Sequence, residues 1–121
     1  MTRSVFALLV LASLLSACGA PVGIRTQPAP MDACEDALAT GTLVSSAISG
    51  LAIRAGDGTV QEVLWPFGYT ARREGTLTLL LDAAGRPVAR EGELIQMGGG
   101  TDNAGVFNAC TGSISVVAAP Q

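Results

Sequence analysis

Turn signals built around glycine recur at short intervals along most of this chain and limit how long any regular element can be. They stand at Gly50, 56–58 (GDG), 66–68 (PFG), 82–85 (DAAG) and 98–100 (GGG). The runs between them are short and rich in Leu, Val, Ile and Thr. Short β-prone runs separated by turn residues are typical of sandwiches and barrels, so the pattern predicts an all-β fold.

The clearest strand is the run TLTLLLD. In an extended chain it places Leu77, Leu79 and Leu81 on one side and Thr76 and Thr78 on the other. Similar runs elsewhere bring the expected number to five to seven short strands. We predict a small OB-like Greek-key barrel, because closure removes the unpaired edges that a small open sheet exposes. A two-sheet β-sandwich is the alternative.

Residues 32–41 (DACEDALATG) are the one stretch with helical features. Asp32 can cap a helix, Glu35 and Asp36 suit its positive end, and Gly41 can end it. We therefore predict one short helical turn near the start of a single β domain that covers residues 32–121.

The first 17 residues read as an export signal. Arg3 and the free amine precede an apolar run from Val5 to Leu15. That run is shorter than the roughly 20 residues that a membrane-spanning helix needs. A positive start, a short apolar core and small residues before a cleavage site describe a signal peptide that is removed from the mature protein.

The residues Leu15, Ser16, Ala17 and Cys18 resemble the lipobox of bacterial lipoproteins. The resemblance implies that Cys18 receives a diacylglycerol and becomes the first mature residue, held to the membrane by its acyl chains. Gly19 stands where the family's inner-membrane retention signal has Asp. The implied location is the bacterial cell envelope, on the outer membrane facing the periplasm if the host is Gram-negative.

Residues 18–31 follow as a segment rich in Pro and Gly, with no hydrophobic period. This composition predicts a flexible tether between the lipidated Cys18 and the domain. The alternative is that part of the segment forms an edge strand packed on the domain.

Cys34 and Cys110 are the two remaining cysteines of three. In an exported protein they are expected to form a disulfide that ties the start of the domain to its last or penultimate strand. A redox or metal-binding thiol pair is the alternative, but CxxC spacing and histidine are both missing from the sequence.

Composition excludes several classes of function. After residue 17 the chain has six Arg and ten Asp and Glu, a net charge of 6 − 10 = −4, with no Lys and no His. A nucleic-acid-binding protein needs a basic footprint, so no nucleic-acid partner is expected. Without His or Lys there is no Ser-His-Asp triad, no His-ligated metal and no Schiff base. We expect no enzyme, no metal and no cofactor.

The segment WPFGYTARR is the candidate ligand site. In an extended chain Trp65, Phe67 and Tyr69 share a face, followed by Arg72 and Arg73. Aromatic faces beside a guanidinium can stack on a glycan or another small envelope molecule. The alternative is that Trp65 and Phe67 close one end of the barrel while residues 66–68 make a turn.

Residues 64–100 also resemble a domain of uncharacterised secreted bacterial proteins, in which a WP-x-G turn precedes D-x-x-G-R-x-V-A-x-x-G-[DE]-x-V-x-x-G-G-G. The match covers about a third of the chain, with Ile95 in the place of the last Val. It implies a small β-barrel and no particular activity.

Two further patterns carry no predicted site. The loop 98–103 (GGGTDN) lacks the Lys of a phosphate-binding loop and offers too few oxygen ligands for calcium. Asp82, Glu91 and Glu93 are expected to be solvated carboxylates. The sequence therefore predicts an anchored envelope protein that acts by protein interaction or in a structural role, with a ligand-binding module as the alternative.

Overall fold

A computed structural model describes residues 19–119 of the chain. The signal peptide and Cys18 lie outside the described residues. Residues 19–119 form ten strands, β1 Pro21–Val22, β2 Ala37–Ser46, β3 Gly50–Arg54, β4 Val60–Leu64, β5 Thr70–Glu74, β6 Leu77–Leu81, β7 Pro87–Arg90, β8 Leu94–Thr101, β9 Phe107–Ala109 and β10 Ser115–Ala118.

Five of these strands close into a barrel. The ring runs β2-β3-β4-β9-β8 and returns to β2, while β10 is added to the outer edge of β8. The pairing of β4 with β9 is parallel, and the other pairs in the ring are antiparallel. The predicted all-β, OB-like barrel is confirmed.

The strand β2 makes closure possible because it belongs to both halves of the barrel. Its first part, Ala37–Thr42, pairs with β8, and its second part, Thr42–Ser46, pairs with β3. Gly41 lies at the change of partner, where a Cβ would come within 2.8 Å of the Arg54 carbonyl oxygen. A glycine there lets the strand pass close to its neighbour.

A second sheet has the order β1-β5-β6-β7. Its strands β5, β6 and β7 lie between β4 and β8 in the sequence, and β1 precedes the first barrel strand. The strand β6 contributes Leu80 to the core, and Leu79 and Leu81 lie on its other face. One hydrophobic core joins barrel residues such as Leu43, Trp65 and Met97 to Leu80 and Tyr69. The two sheets are therefore one folding unit, with more strands than the five to seven predicted.

The predicted helical turn is wrong. The stretch from Ala37 is the start of β2, and residues 33–36 have no regular structure. Ala39, Gly41 and Leu43 alternate toward the interior, and hydrogen bonding to two strands outweighs the weak helical preference of so short a segment. None of the residues 19–119 belongs to a helix long and apolar enough to cross a membrane.

The predicted tether is also wrong for most of its length. Val22 and Pro21 pair with β5, and Thr26 forms a parallel bridge with Trp65. Gln27 is buried, and its Nε2 donates to the Ala109 carbonyl at 2.7 Å. The alternative of a packed edge strand is the one observed, so the domain begins near residue 20 and not at residue 32.

The segment packs because its backbone groups find partners that composition does not reveal. Pro21 sits on the outer edge of the second sheet, where its missing N–H leaves no gap in the ladder. Within the predicted tether, the stretch that is exposed at every position and forms no strand pairs is residues 28–31, and this exposed run continues through residue 36.

Candidate functional site

The disulfide between Cys34 and Cys110 is present, as predicted. The two Cα atoms are 5.8 Å apart and the residues are 76 positions apart in sequence. Cys110 follows β9 directly and is buried, whereas Cys34 lies in the exposed arm of residues 28–36. The bond fastens this arm to the penultimate strand of the domain.

Two shallow clefts flank the arm. The larger, of about 300 Å³, lies beside the disulfide and is lined by residues that include Met31, Asp32 and Ser113. The smaller, of about 130 Å³, lies on the other side of Met31 and is lined in part by Glu35 and Asp102. Within residues 19–119 there is no group of three or more acidic, Cys or His side chains arranged to hold a metal ion.

The predicted aromatic face does not form. Trp65 is fully buried and its indole N–H donates to the Leu51 carbonyl at 3.0 Å, and Tyr69 is buried as well. Phe67 alone is on the surface, with 45% of its area exposed. The prediction that the three rings share an exposed face is wrong.

The reason is a turn between the rings. The Tyr69 N–H donates to the Pro66 carbonyl at 3.1 Å, and Gly68 has a φ of 81°, which glycine adopts without strain. Alternation along an extended strand therefore does not apply to this segment. The alternative was right about the turn and about Trp65, but Phe67 does not fill the barrel end.

Arg72 and Arg73 are exposed on β5 and lie among charged neighbours. Arg72 and Arg90 both reach Glu74, with N···O distances of 3.9 Å and 3.6 Å. Arg73 donates from Nη1 to the Thr76 carbonyl at 3.4 Å. These arginines belong to the end of the second sheet where β5 turns into β6, and not to an aromatic platform.

Residues 98–100 (GGG) lie within β8, where neighbouring segments pack directly against the strand backbone. A Cβ at Gly99 would overlap the carbonyl oxygen of Asn108, and one at Gly100 would overlap the carboxylate of Glu35. These glycines let β9 and the disulfide arm approach the β8 backbone, which explains the stretch without a ligand.

Two aspartates hold matching turns. Asp102 accepts the N–H groups of Ala104 and Val106, and Asp82 accepts those of Ala84 and Arg86, each at 2.8–3.0 Å.

These backbone bonds lower the pKa of both carboxyls, because they stabilise the charged form. For Asp102 the Val106 N–H is the largest cause and the Asn108 amide adds to it. For Asp82 the Arg86 N–H is the largest cause, and the Ala84 N–H and the Arg86 guanidinium add to it.

Glu91 and Glu93 are structural in the same way. Glu91 accepts the Thr78 N–H and the Ser45 hydroxyl at 3.1 Å each, and Glu93 accepts the Arg90 N–H. Asp82 and Glu93 therefore accept backbone donors of their own turns, and Glu91 accepts one from the neighbouring strand β6.

A cluster that sequence reasoning missed lies under the β2–β3 hairpin. The Glu62 carboxylate on β4 accepts the hydroxyls of Ser46, at 2.8 Å, and of Ser49. Ser49 is buried and its Oγ accepts the Val63 N–H at 3.3 Å. The carboxylate fastens the hairpin to β4. The cluster forms because the registers of β2, β3 and β4 bring these side chains together, and no local sequence motif predicts it.

The start of the described chain lies directly against β5. The Ala20 carbonyl accepts the Arg73 N–H at 2.7 Å, and Pro21 is opposite Arg72. A Cβ at Gly19 would overlap the Arg73 carbonyl oxygen and would lie 3.8 Å from the Arg72 side chain. The described chain therefore lies against β5 from its first residue, Gly19.

Comparison of the sequence with protein-family models and curated proteins, and of the fold with solved structures, finds no match.

Proposed function

We propose that this chain is a lipid-anchored protein of the bacterial cell envelope whose β domain acts by protein interaction or in a structural role. The observation that carries the proposal is the division of the three cysteines. Cys34 and Cys110 pair with each other, so Cys18 is the one cysteine outside the disulfide, and it stands at the end of the apolar run.

The disulfide supports export. Such bonds persist in oxidising compartments and are rare in the cytosol, where thiols are kept reduced. An export signal followed by a disulfide-closed domain is therefore a consistent pair of features. The short apolar run and the residues Leu15 to Cys18 add the specific expectation of acylation.

Three carboxyls of the domain hold turns and are not poised as acids or bases near neutral pH. Asp57, Asp82 and Asp102 have a lowered pKa, and in each the largest cause is a backbone hydrogen bond within a turn. A catalytic acid or base at neutral pH needs a pKa moved toward neutrality, and these shifts go the other way. Glycan binding through an aromatic platform loses its main support because Trp65 and Tyr69 are in the core.

Mass spectrometry of the amino-terminal peptide tests the anchor. The full chain is expressed in a bacterial host and its membrane fraction is analysed, with Cys18→Ser as the matched control. We expect a mature protein that begins at Cys18 with a mass increment for diacylglycerol and fatty acid, and a control that lacks this increment. A mature protein with an unmodified Cys18 thiol would refute the proposal.

Chemical cross-linking in intact cells, followed by purification of the detergent-solubilised protein, tests the interaction role. A single envelope protein enriched with the wild type supports it. A retained small molecule without a protein partner would favour the ligand-binding alternative.

A further inference from the structure

We infer that the Cys34–Cys110 disulfide is a redox-operated latch. A dithiol reductant opens the bond in the folded protein, and opening releases the arm of residues 28–36 from the surface of β8. The inference goes beyond the proposed function and does not depend on the acylation of Cys18. It gives the disulfide a switching role in addition to its contribution to stability.

The first step is access to the sulfur atoms. The cleft of about 300 Å³ opens directly on the bond, because both Cys34 and Cys110 belong to its lining. Cys34 lies in the exposed arm, whereas Cys110 has only 4% of its area exposed. A reagent that enters the cleft from solvent therefore reaches the Cys34 Sγ before that of Cys110.

The second step is the chemistry of opening. A thiolate of the reductant attacks the Cys34 Sγ, the S–S bond breaks, and Cys110 leaves as a thiolate that takes a proton from water. The second thiol of the reductant then attacks the reductant's own sulfur in the mixed disulfide, which closes a cyclic disulfide and frees Cys34 as a thiol. Two electrons thus pass from the dithiol to the protein. Because the fold stabilises the bond, a dithiol of low reduction potential is required.

The third step is that both ends of the arm are held without the disulfide. Before the arm, the Gln27 N–H donates to the Trp65 carbonyl at 2.9 Å, and its Nε2 donates to the Ala109 carbonyl at 2.7 Å. After the arm, Ala37 pairs with Gly99 as the first residue of β2. The hydrophobic core formed within residues 19–119 contains no residue of the arm. The domain therefore keeps its strands and its core when the bond opens.

The fourth step is that the arm has few other attachments. In the described part of the chain, no hydrogen bond joins the arm to a strand. The arm carries three carboxylates, Asp32, Glu35 and Asp36, and no basic residue. Glu35 and Asp102 line the same small cleft, where their like charges oppose docking of the arm. The Val106 N–H and the charge of Arg25 also act on Asp102 and offset part of this repulsion.

The surface that the arm covers is the last part of β8. The Glu35 side chain lies against the Gly100 backbone, just beyond the point where β2 begins to pair with β8 at Gly99. Among the described strands, Gly100 has a partner only in β9, where it pairs with Asn108. Release of the arm therefore uncovers the Gly100 segment and the Cys110 thiol together, so the oxidised and reduced forms present different surfaces.

The kinetics of reduction by dithiothreitol test the opening of the latch. The full chain is purified from bacterial membranes in detergent, and free thiols are alkylated and assigned by peptide mass spectrometry, so that Cys18 is counted separately. Without denaturant, we expect the rate of reduction to rise in proportion to the dithiothreitol concentration, because the reagent attacks the folded protein. A rate that does not depend on this concentration would show that the bond opens only after unfolding, and it would overturn the latch.

Limited proteolysis with a glutamate-specific protease tests the release of the arm. Glu35 in the arm and Glu74 at the end of β5 are both exposed, so cleavage after Glu74 is an internal control. In dithiothreitol we expect cleavage after Glu35 to become faster by roughly tenfold or more, because a released loop opens freely, while cleavage after Glu74 stays unchanged. Equal rates after Glu35 in the oxidised and reduced protein would overturn the release.

A permanently open variant provides the matched comparison. Cys34→Ala should show the faster cleavage after Glu35 without any reductant. Ala33→Ser changes a neighbouring exposed position and keeps the disulfide, so it should behave like the wild type. If Cys34→Ala is cleaved after Glu35 no faster than Ala33→Ser, the disulfide does not hold the arm and the inference is refuted.

The fluorescence of Trp65 separates release of the arm from unfolding of the domain, because this side chain is fully buried. We expect the same emission from the oxidised wild type, the reduced wild type and Cys34→Ala. Emission typical of an exposed tryptophan in the reduced wild type would overturn the inference, since the arm would then be released only by unfolding. The acylation state of Cys18 affects none of these outcomes, so the proposed function is tested separately.

Discussion

Removal of the disulfide should cost this domain a large part of its stability. The change is Cys34→Ala with Cys110→Ala, which opens a loop whose ends are 76 residues apart. The chain-entropy relation gives about 4.5 kcal/mol at 25 °C for a loop of that size. Domains of this length have total stabilities of about 5–15 kcal/mol, so the loss would be a large fraction.

The structure indicates that most of this loss arises in the unfolded state. The arm of residues 28–36 is exposed throughout and buries little surface that the variant would release. Cys110 is buried, but its replacement by Ala removes only one sulfur atom from the interior. The unfolded chain, by contrast, gains the freedom of a long opened loop and becomes more expanded.

Urea unfolding followed by the fluorescence of the single Trp65 measures the effect. The protein used is the chain from residue 19, which contains every described element. We expect a lower urea midpoint and a slightly larger slope of free energy with urea, because more surface is exposed on unfolding. Wild type under reducing conditions should match the double variant. A loss below about 1 kcal/mol would refute the reasoning and show that the bond holds only the arm.

Three further outcomes are expected. Trp65→Phe should lower the free energy of unfolding by about 2–3 kcal/mol, because it leaves a cavity and an unpaired Leu51 carbonyl, and urea unfolding followed by circular dichroism would measure it. Gly99→Ala should cost about 3 kcal/mol or more through its overlap with a backbone oxygen, whereas Gly56→Ala, with nothing within 4 Å, should be close to neutral in the same assay. Acid should destabilise the protein through Asp82 and Asp102. The pKa of each carboxyl is lower in the folded protein than its usual value of 3.8. Each ionised carboxylate therefore adds to the free energy of unfolding above pH 3.8, and this contribution is lost as the pH falls through the folded pKa. In Asp102→Ala, the free energy of unfolding should fall less between neutral pH and acid pH than it does in the wild type, as measured by unfolding curves at several pH values. An unchanged pH profile would contradict the stabilising role of the Asp102 carboxylate.

The parts of the fold that sequence analysis predicted correctly are those that depend on local chemistry. Most of the glycine turn signals mark reversals of the chain, and Gly68 and Gly85 have φ values of 81° and 79°. The exception is residues 98–100, which lie within β8. Cys34 and Cys110 pair because no other thiol is available within the domain. The all-β class followed from short β-prone runs between such turns.

The incorrect predictions concern segments whose structure depends on a partner that is distant in the sequence. The residues from Ala37 onward favour a helix when judged by local sequence alone, but pairing with β8 and β3 makes them a strand. Trp65 and Tyr69 looked like a surface platform, but the turn at Gly68 directs both into the core. The Glu62 carboxylate binds the hydroxyls of Ser46 and Ser49 only because the register of β2, β3 and β4 brings these residues together.

For this protein, the sequence by itself determined the all-β class and most of the turns, since each depends on a few residues close together in the chain, and it determined the pairing of Cys34 with Cys110, the two cysteines available to the domain. The export signal and the acylation of Cys18 stay predictions. Only the tertiary structure decided that residues 20–27 belong to the domain. Their backbone partners, Arg73 and Trp65, lie far along the chain, and composition carries no record of such pairing. That long-range pairing leaves a single residue between Cys18 and the fold.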